Sequence, residues 1–422
     1  MRSFWRIFSL EWTDLVRSRA LALLVLASGA WMVLAPHVLT GDGTPEGARE
    51  MVIRYSLGGV ATLVACALTA VAAGSVARER ASHRLQLILV RPVNRALLVF
   101  AKITALAAVA ALVLGLAAAV EAVRADSPRN CRHVYRPVLP SPAREAELLY
   151  DSYMEDPETP EEAKKAPRAD ILRLLAQRAN ERYQPIATNE TAVWPFDAAA
   201  FSDRPTWVRL RFTNDWHLRD DVRFVARLGE RSCVASNLTR TVSEFPLIAA
   251  PAGASPSEPA SLELENVGVR SVMLRPRRDV EVLVEADGFR ANLVRAWIEL
   301  VALVTALIAF GVFLGCALSR PVALFTVFVT LALSEMSPSV LASYSGELTD
   351  TRSDAIALAL TRFSATVTRP VSSLTPLSSL AAGECVEPRE VAGAVAVDLL
   401  LLPLVFSLLA ALVLARKPED EL

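Results

Sequence analysis

The stretch ERASHRLQLILVRPVNRALLVFAKI, residues 79–103, decides how this chain is folded. It carries four arginines and a Pro-Val turn, yet it lies between two segments that are apolar enough to sit in lipid. A chain that alternates in this way leaves the bilayer, forms a short basic helix and enters the bilayer again. The pattern therefore indicates a membrane protein with a short basic connection between two of its spans.

Composition agrees with a chain that is exposed to two solvents. Of its 422 residues, 53% are hydrophobic, which exceeds an ordinary soluble protein, and 21% are charged, which exceeds a bare bundle of membrane helices. The formal net charge of -1 argues against a nucleic-acid partner, because such a partner requires a concentrated basic surface.

Apolar runs predict six transmembrane helices, since about 20 residues are needed to cross the hydrocarbon core. These runs are residues 20–39, 58–77, 97–120, 293–318, 322–341 and 391–415. Residues 1–19 precede the first span and carry apolar side chains on one helical face. The residues of that face are Phe4, Trp5, Phe8, Trp12 and Leu15. The pattern predicts an elbow helix that lies in the membrane interface, rather than a cleaved signal peptide.

Lysines and arginines near the span ends predict the orientation. With the N-terminus in the cytoplasm, the cytoplasmic side receives the basic residues of 1–19 and 78–102, Arg320, and those of 416–417, whereas the first outer loop has only Arg49 and Arg54. Basic residues before the last span oppose this arrangement, but the early spans usually dominate. We therefore expect both termini in the cytoplasm, where residues 417–422 would form a short tail.

On this topology we expect residues 124–290 to form one large extracytoplasmic insertion between spans three and four. Its first part, 124–205, is charged and rich in proline, which predicts a helical and irregular linker. In 206–288 the hydrophobic period changes to two, as in WVRLRFTN at 207–214, which is typical of half-buried strands. We expect an α+β domain that ends in a small antiparallel β-sandwich.

Six spans, an elbow helix and a basic helix between spans two and three resemble the permease subunits of ABC-2 type exporters, especially the NosY and gliding-motility branch. Those permeases have an acidic residue, a Leu-rich turn, a Pro-Val-x-Arg element and a Lys that starts the third span. The matching residues here are Glu79, Leu85, Leu87, Leu89, Arg91, Pro92, Val93, Arg95 and Lys102. The segment FRANLVRA, residues 289–296, is also similar to that branch. The resemblance covers both membrane halves and little of the insertion.

This resemblance implies that residues of about 79–96 form a coupling helix that docks on a cytoplasmic ABC ATPase. Leucines would bury apolar surface in the ATPase, while arginines would supply steering and rim contacts. The residues assigned to this role are Glu79, Arg84, Leu85, Leu87, Leu89, Arg91, Pro92 and Arg95. In the alternative, the arginines only fix the topology against the anionic inner leaflet.

The sequence has no ATP-binding motif of its own. It contains no Gly-Lys pair, so it has no Walker A loop, and it contains neither HExxH nor GxSxG. We expect that the chain is not an enzyme, that it holds no cofactor, and that ATP and Mg²⁺ bind to a separate ATPase subunit. Because two coupling helices are needed, the resemblance implies a dimer with itself or with a sibling permease.

Three acidic residues within apolar spans are candidates for the transport path: Glu299, Glu335 and Asp398. A charge in hydrocarbon is costly, so such residues indicate function by default. They would favour a substrate with a cationic or hydrogen-bond-donating head. In the alternative, they pair with Arg295 or lie near a wet outer segment of about 342–390, where we expect short helices or a re-entrant hairpin.

Cys131 and Cys233 both belong to the predicted outer insertion, where an oxidising environment would permit a disulfide between them. Pairing cannot be derived from sequence alone, so the bond is a hypothesis. A metal site that uses Cys131 and His133 is disfavoured, because two candidate ligands do not make a site. We expect no metal.

Together these features predict the membrane-spanning subunit of an exporter in a bacterial inner membrane. Its partners would be an ABC ATPase, a second permease subunit and membrane lipid, and its substrate is not evident from the sequence. Two alternatives stay open. One is a complex that transmits ATPase motion to an extracytoplasmic partner without transport, and the other is a membrane-anchored sensor or scaffold.

Overall fold

The chain divides into a helical unit, Met1–Cys131 with Gly288–Leu422, and an inserted β domain, Arg132–Asp287. This division is seen in a computed structural model. The structure describes residues 2–39, 45–81, 94–124, 130–157, 159–160, 164–197, 204–213, 221–239, 242–249, 261–344, 359 and 375–416.

Helices account for nearly all of the helical unit and for a smaller part of the β domain. In chain order the described helices are α1 (Arg2–Val16), α2 (Arg19–Val38), α3 (Pro45–Ala81), α4 (Arg95–Arg124), α5 (Pro142–Glu155), α6 (Arg168–Glu181), α7 (Pro276–Asp279), α8 (Phe289–Ala317), α9 (Arg320–Tyr344), α10 (Thr375–Ala381), α11 (Pro388–Ala394) and α12 (Leu402–Arg416). A π-helical stretch, Val395–Leu401, joins α11 to α12.

Five of the described helical segments are long and apolar enough to cross a membrane. They are Arg19–Val38, Glu50–Val76, Arg95–Arg124, Phe289–Ala317 and Pro388–Arg416. They coincide with predicted spans one to four and six. The fifth predicted span, 322–341, lies in α9, where Arg320–Ala332 is a shorter apolar helix. The helical unit therefore has the character of a membrane protein, and the number of six spans stays a prediction.

Helix α8 forms the centre of the helical unit and packs closely against α3. Most of its side chains are buried, whereas many side chains of α2 are exposed. A Cβ atom added to Gly315 would lie 2.5 Å from the carbonyl oxygen of Ala73, and one added to Gly311 would lie 2.8 Å from that of Thr69. Only glycine permits this approach of two backbones, which explains the spacing of four residues between the glycines.

A disulfide and an asparagine join three helix ends of the helical unit. Cys131, which follows α4, is bonded to Cys385, which precedes α11, with 5.0 Å between their Cα atoms. The side chain of Asn292 in α8 donates to the carbonyl oxygen of Glu384 at 2.7 Å and accepts from the amide of Val386 at 2.7 Å. The buried amide thus holds both neighbours of Cys385.

The predicted bond between Cys131 and Cys233 is wrong. Cys131 pairs with Cys385, and Cys233 is a free, buried thiol in the hydrophobic core of the β domain. Its side chain points among apolar neighbours, so it is a packing residue there.

The β domain contains ten described strands. They are β1 (Arg132–Tyr135), β2 (Gln184–Ile186), β3 (Thr191–Pro195), β4 (Thr206–Arg211), β5 (Asp221–Leu228), β6 (Arg231–Leu238), β7 (Val242–Ala249), β8 (Ser261–Asn266), β9 (Val272–Leu274) and β10 (Val280–Glu285). Eight of them form a sheet in the order β1-β10-β4-β7-β6-β5-β8-β3, and β2 pairs with β9. The ladders of these strands are antiparallel, as predicted.

The strands of the β domain share one large hydrophobic core, and its helices α5 and α6 share a smaller one around Ala146, Ile171 and Leu175. Alternate side chains of strands near both ends of the sheet enter the core of the strands. Examples are Leu210 of β4 and Val282 of β10 near one end, and Phe224 of β5 and Leu264 of β8 near the other. Strands distant in the sheet order therefore contribute to the same core, and the sandwich arrangement stays a prediction.

The sheet is larger than the range 206–288 that the sequence predicted. Strands β1 and β3 lie in the predicted linker, 124–205, and they form the two edges by pairing with β10 and β8. Strands this short carry too few alternations to be separated from a proline-rich linker by period alone.

The disulfide can be tested by mass spectrometry of the full chain, alkylated and digested without reductant. We expect a linked peptide pair that contains Cys131 and Cys385. Cys233 should react with the alkylating reagent only after unfolding, because burial raises the pKa of its thiol to about 11 and leaves little thiolate at pH 8. A linked pair that contains Cys233, or its rapid alkylation in the native protein, would contradict the structure.

Candidate functional site

The predicted coupling segment is described only at its two ends. Glu79 lies in the last turn of α3, and Arg95 begins α4. The other residues assigned to coupling lie outside the described residues: Arg84, Leu85, Leu87, Leu89, Arg91 and Pro92. The candidate site is therefore the base of this segment, which is built from the helices on either side of residues 82–93.

Lys102 is the centre of this base. It lies two turns into α4, and only 2% of its side chain is exposed. Its Nζ donates to Oε1 of Glu11 on α1 and, at 2.5 Å, to Oε1 of Glu79 on α3. A buried ammonium ion is tolerated only when it is paired, because desolvation of an isolated charge is costly. One buried cation thus joins three helices, and we name these three residues the Lys102 cluster.

Helix α1 also packs against α4 through its aromatic face. The rings of Phe4 and Phe100 are 6.2 Å apart, and Phe4, Phe8 and Trp12 stack along α1 at 6.3 and 6.1 Å. Trp5 remains 62% exposed. Much of the face that was assigned to the membrane interface therefore contacts protein, and the interfacial position of α1 stays a prediction.

Arg95 connects the start of α4 to the end of the last span. Its Nη1 donates to the carbonyl oxygen of Leu414 at 2.8 Å. Leu414 lies in the last turn of α12, where carbonyl groups have no partner within the helix and a cation is favourable. The guanidinium group of Arg95 is thus bonded within this chain, at the base of the coupling segment.

The predicted acidic residues of the spans lie on different helices. Glu299 in α8 and Asp398 in the π-helical stretch are buried, at 7% and 4% exposure. Glu335 belongs to α9, and its side chain lies outside the described residues. Among the described residues no group of three or more His, Cys, Asp or Glu could hold a metal ion. Of Glu299 and Asp398, Asp398 is the stronger candidate for a functional residue, because it lies in a π-helical stretch and such stretches recur at functional sites.

Sequence reasoning missed Glu11, although the sequence carried a signal. Phe4, Phe8, Glu11 and Leu15 recur at the spacing of one helical face, so Glu11 interrupts an apolar stripe. A carboxylate in that position requires a cation on the element against which the stripe packs. Lys102 was part of the predicted motif, but no partner was assigned to it.

Replacement of Lys102 by Met should destabilise the chain more than removal of an exposed cation. It leaves the carboxylates of Glu11 and Glu79, which are 16% and 20% exposed, beside each other without a cation. We therefore expect a loss near the lower end of the roughly 3–5 kcal/mol that breaking a buried ion pair costs. Arg78→Met, one residue before Glu79 and exposed, is the matched control and should change stability by less than about 0.5 kcal/mol. Thermal unfolding of the detergent-solubilised full chain measures both, and equal losses would contradict the buried cluster.

The triple change Lys102→Met, Glu11→Gln and Glu79→Gln separates this explanation from a loss of packing. It removes the unpaired charges together with the cation, so most of the stability should return. If the triple variant stays as unstable as Lys102→Met alone, the loss of stability comes from the changed packing of the lysine side chain and not from unpaired charges.

Comparison with known proteins identifies similarity over the part of the chain that contains this site. Residues 7–126 match the model of the family described as ABC-2 family transporter protein. This range includes Glu11, Glu79 and Lys102. No curated protein and no solved structure matches the chain. The match is a similarity over residues 7–126 of the 422-residue chain, and it does not extend to the β domain.

Proposed function

We propose that the chain is the membrane-spanning subunit of an ABC-2 type exporter in a bacterial inner membrane, and that a separate ABC ATPase supplies its energy. The observation that carries the proposal is the Lys102 cluster, which holds together the helices on both sides of residues 82–93 within the range that matches the family. A segment that is moved by an ATPase has to be firmly connected to the helices on either side of it. Otherwise only the adjoining helix ends would bend, and the spans would not move.

Two independent features support an orientation with the cytoplasm at the Lys102 end of α4. The first is the concentration of lysine and arginine at the ends of the early spans. The second is the disulfide of Cys131, since disulfides persist in oxidising compartments. Lys102 and Arg124 are roughly 33 Å apart along α4 at about 1.5 Å per residue, which is about the thickness of the hydrocarbon core.

In this mechanism, closure of an ATPase dimer moves residues 82–93 of two permease subunits. This movement opens the path between the subunits to one side of the membrane and then to the other. The second subunit and lipid would cover the apolar side chains that a single chain exposes, such as Leu26 of α2, Phe325 of α9 and Leu408 of α12. Glu299 and Asp398, buried in one chain, would reach the substrate only when that path opens. Membership of the NosY and gliding-motility branch stays a prediction.

A second candidate function follows from the β domain. Residues 132–287 have their own hydrophobic core and lie outside the range that matches the family. A domain of this kind suits a complex that transmits ATPase motion to an extracytoplasmic partner. In that case changes to Glu299 and Asp398 would leave activity intact, whereas changes to exposed loops of the β domain would abolish it.

Co-purification of the tagged full chain in mild detergent tests the proposal. We expect an ABC ATPase with the wild type and a loss of more than about tenfold with Leu87→Asp/Arg91→Glu, because an apolar anchor and a rim charge are both reversed. Leu148→Asp/Arg144→Glu makes the same changes on the exposed surface of α5 and should retain the ATPase. Absence of an ATPase from the wild type would favour a sensor or scaffold.

A further inference from the structure

The disulfide of the helical unit joins two cysteines that differ in their exposure. Cys131 is 2% exposed, whereas Cys385, which lies between α10 and α11, is partly exposed. We propose that this bond is a site of reversible thiol–disulfide exchange, at which Cys385 reacts with a dithiol oxidoreductase and Cys131 is the resolving thiol. The inference goes beyond the proposed function, because it involves neither the ATPase nor residues 82–93.

Access determines which of the two sulfur atoms an external thiolate attacks first. Attack at Cys131 requires the surrounding helices to open, because this residue is buried. Attack at Cys385 does not require such an opening, since this residue reaches the surface of the helical unit. The two cysteines are therefore not equivalent in exchange, and Cys131 is the leaving group.

The exchange conserves atoms and electrons. A thiolate of the oxidoreductase forms a bond to Sγ of Cys385, the bond to Cys131 breaks, and its electron pair leaves on Sγ of Cys131, which takes up a proton. The second thiolate of the oxidoreductase then attacks the sulfur of the first, so that Cys385 is released as a thiol and the oxidoreductase becomes a disulfide. Two electrons pass to this chain. The same steps in reverse form the bond from an oxidised oxidoreductase.

Local hydrogen bonds build the turn that presents Cys385. Gly383 has a φ of 73°, which favours glycine, and it follows the end of α10. The amide of Glu384 donates to the carbonyl oxygen of Ser379 at 2.7 Å, and that of Gly383 donates to the carbonyl oxygen of Leu380 at 3.2 Å. This is the pattern of a Schellman helix cap. The turn therefore does not depend on the disulfide.

A second attachment keeps Cys385 in place without the disulfide. Asn292 of α8 hydrogen-bonds the backbone on both sides of Cys385, each time at 2.7 Å. Leu377 and Leu380 of α10 are 2% and 1% exposed and belong to the hydrophobic core of the helical unit. Reduction thus breaks the attachment of this segment to Cys131 and leaves its attachment to α8. The two thiols stay near each other, so the bond can form again.

The bond connects the ends of two candidate spans. Cys131 follows the span Arg95–Arg124, and Cys385 precedes the span Pro388–Arg416. While the bond is intact, the two Cα atoms are held 5.0 Å apart, and the reduced form has no such limit. The redox state of this site therefore determines whether the two spans can separate at this end.

Single substitutions test the roles of the two cysteines in the full chain, purified in detergent. Cys131→Ala releases the thiol of Cys385, and Cys385→Ala releases the thiol of Cys131. Each variant is treated with oxidised glutathione, and mass spectrometry of the digested chain locates the mixed disulfide and gives its rate of formation. We expect the reaction at Cys385 to be faster by about tenfold or more, because exchange depends on access. The buried thiol of Cys233 is the internal reference for slow reaction.

Reversibility is tested by reducing the folded wild type with dithiothreitol, removing the reductant and adding oxidised glutathione. We expect the linked peptides of Cys131 and Cys385 to return. In Asn292→Ala the rate of return should fall about tenfold, since the two thiols are no longer held close together. Arg290→Ala, an exposed change in the same turn of α8, should match the wild type. Should Asn292→Ala fail to fold, Asn292→Ser is the substitute and is expected to slow the return as well.

Three results would overturn the inference. The first is a mixed disulfide that forms at Cys131 as fast as at Cys385. The second is a bond that is reduced only when the chain unfolds, or that does not return in the folded chain. The third is an unchanged rate of return in both Asn292 variants. Each of these leaves the proposed function intact, which fails instead if no ATPase accompanies the wild type.

Discussion

A lysine that is buried among apolar helices constrains the whole helical unit. Lys102 is 2% exposed, so its ammonium group has to find its partners inside the protein. It finds them on α1 and α3, which requires the N-terminal helix to fold back onto the base of the first spans. The aromatic packing of Phe4 on Phe100 and the bond from Arg95 to the last turn of α12 then extend the same base to the end of the chain.

The opposite end of α4 is fixed by different chemistry. Cys131 is bonded to Cys385, and Asn292 hydrogen-bonds the backbone on both sides of Cys385. The chain enters the β domain directly after Cys131 and returns to the helical unit directly before α8. The helical unit is thus joined by a covalent bond at one end of α4 and by ion pairs at the other.

Features that depend on local pattern could be predicted from the sequence. Hydrophobic length located five spans, and the period of two located strands within 206–288, such as β4. Features that depend on distant pairing could not. Nothing near Cys131 indicates a partner 254 residues away, and β1 and β3 are too short to be recognised without the strands with which they pair. Glu11 could be predicted in part. Its position on an apolar stripe indicates that it needs a cationic partner, but the sequence does not show that this partner is Lys102.

A structure of the chain with its co-purified ATPase, determined by electron cryomicroscopy, tests the central claim most directly. The account predicts that the ATPase contacts residues 82–93, and that Lys102 lies within hydrogen-bonding distance of both Glu11 and Glu79 beneath that contact. An ATPase that contacts other parts of the chain, or a Glu11 that is separated from Lys102 in the assembled complex, would contradict it.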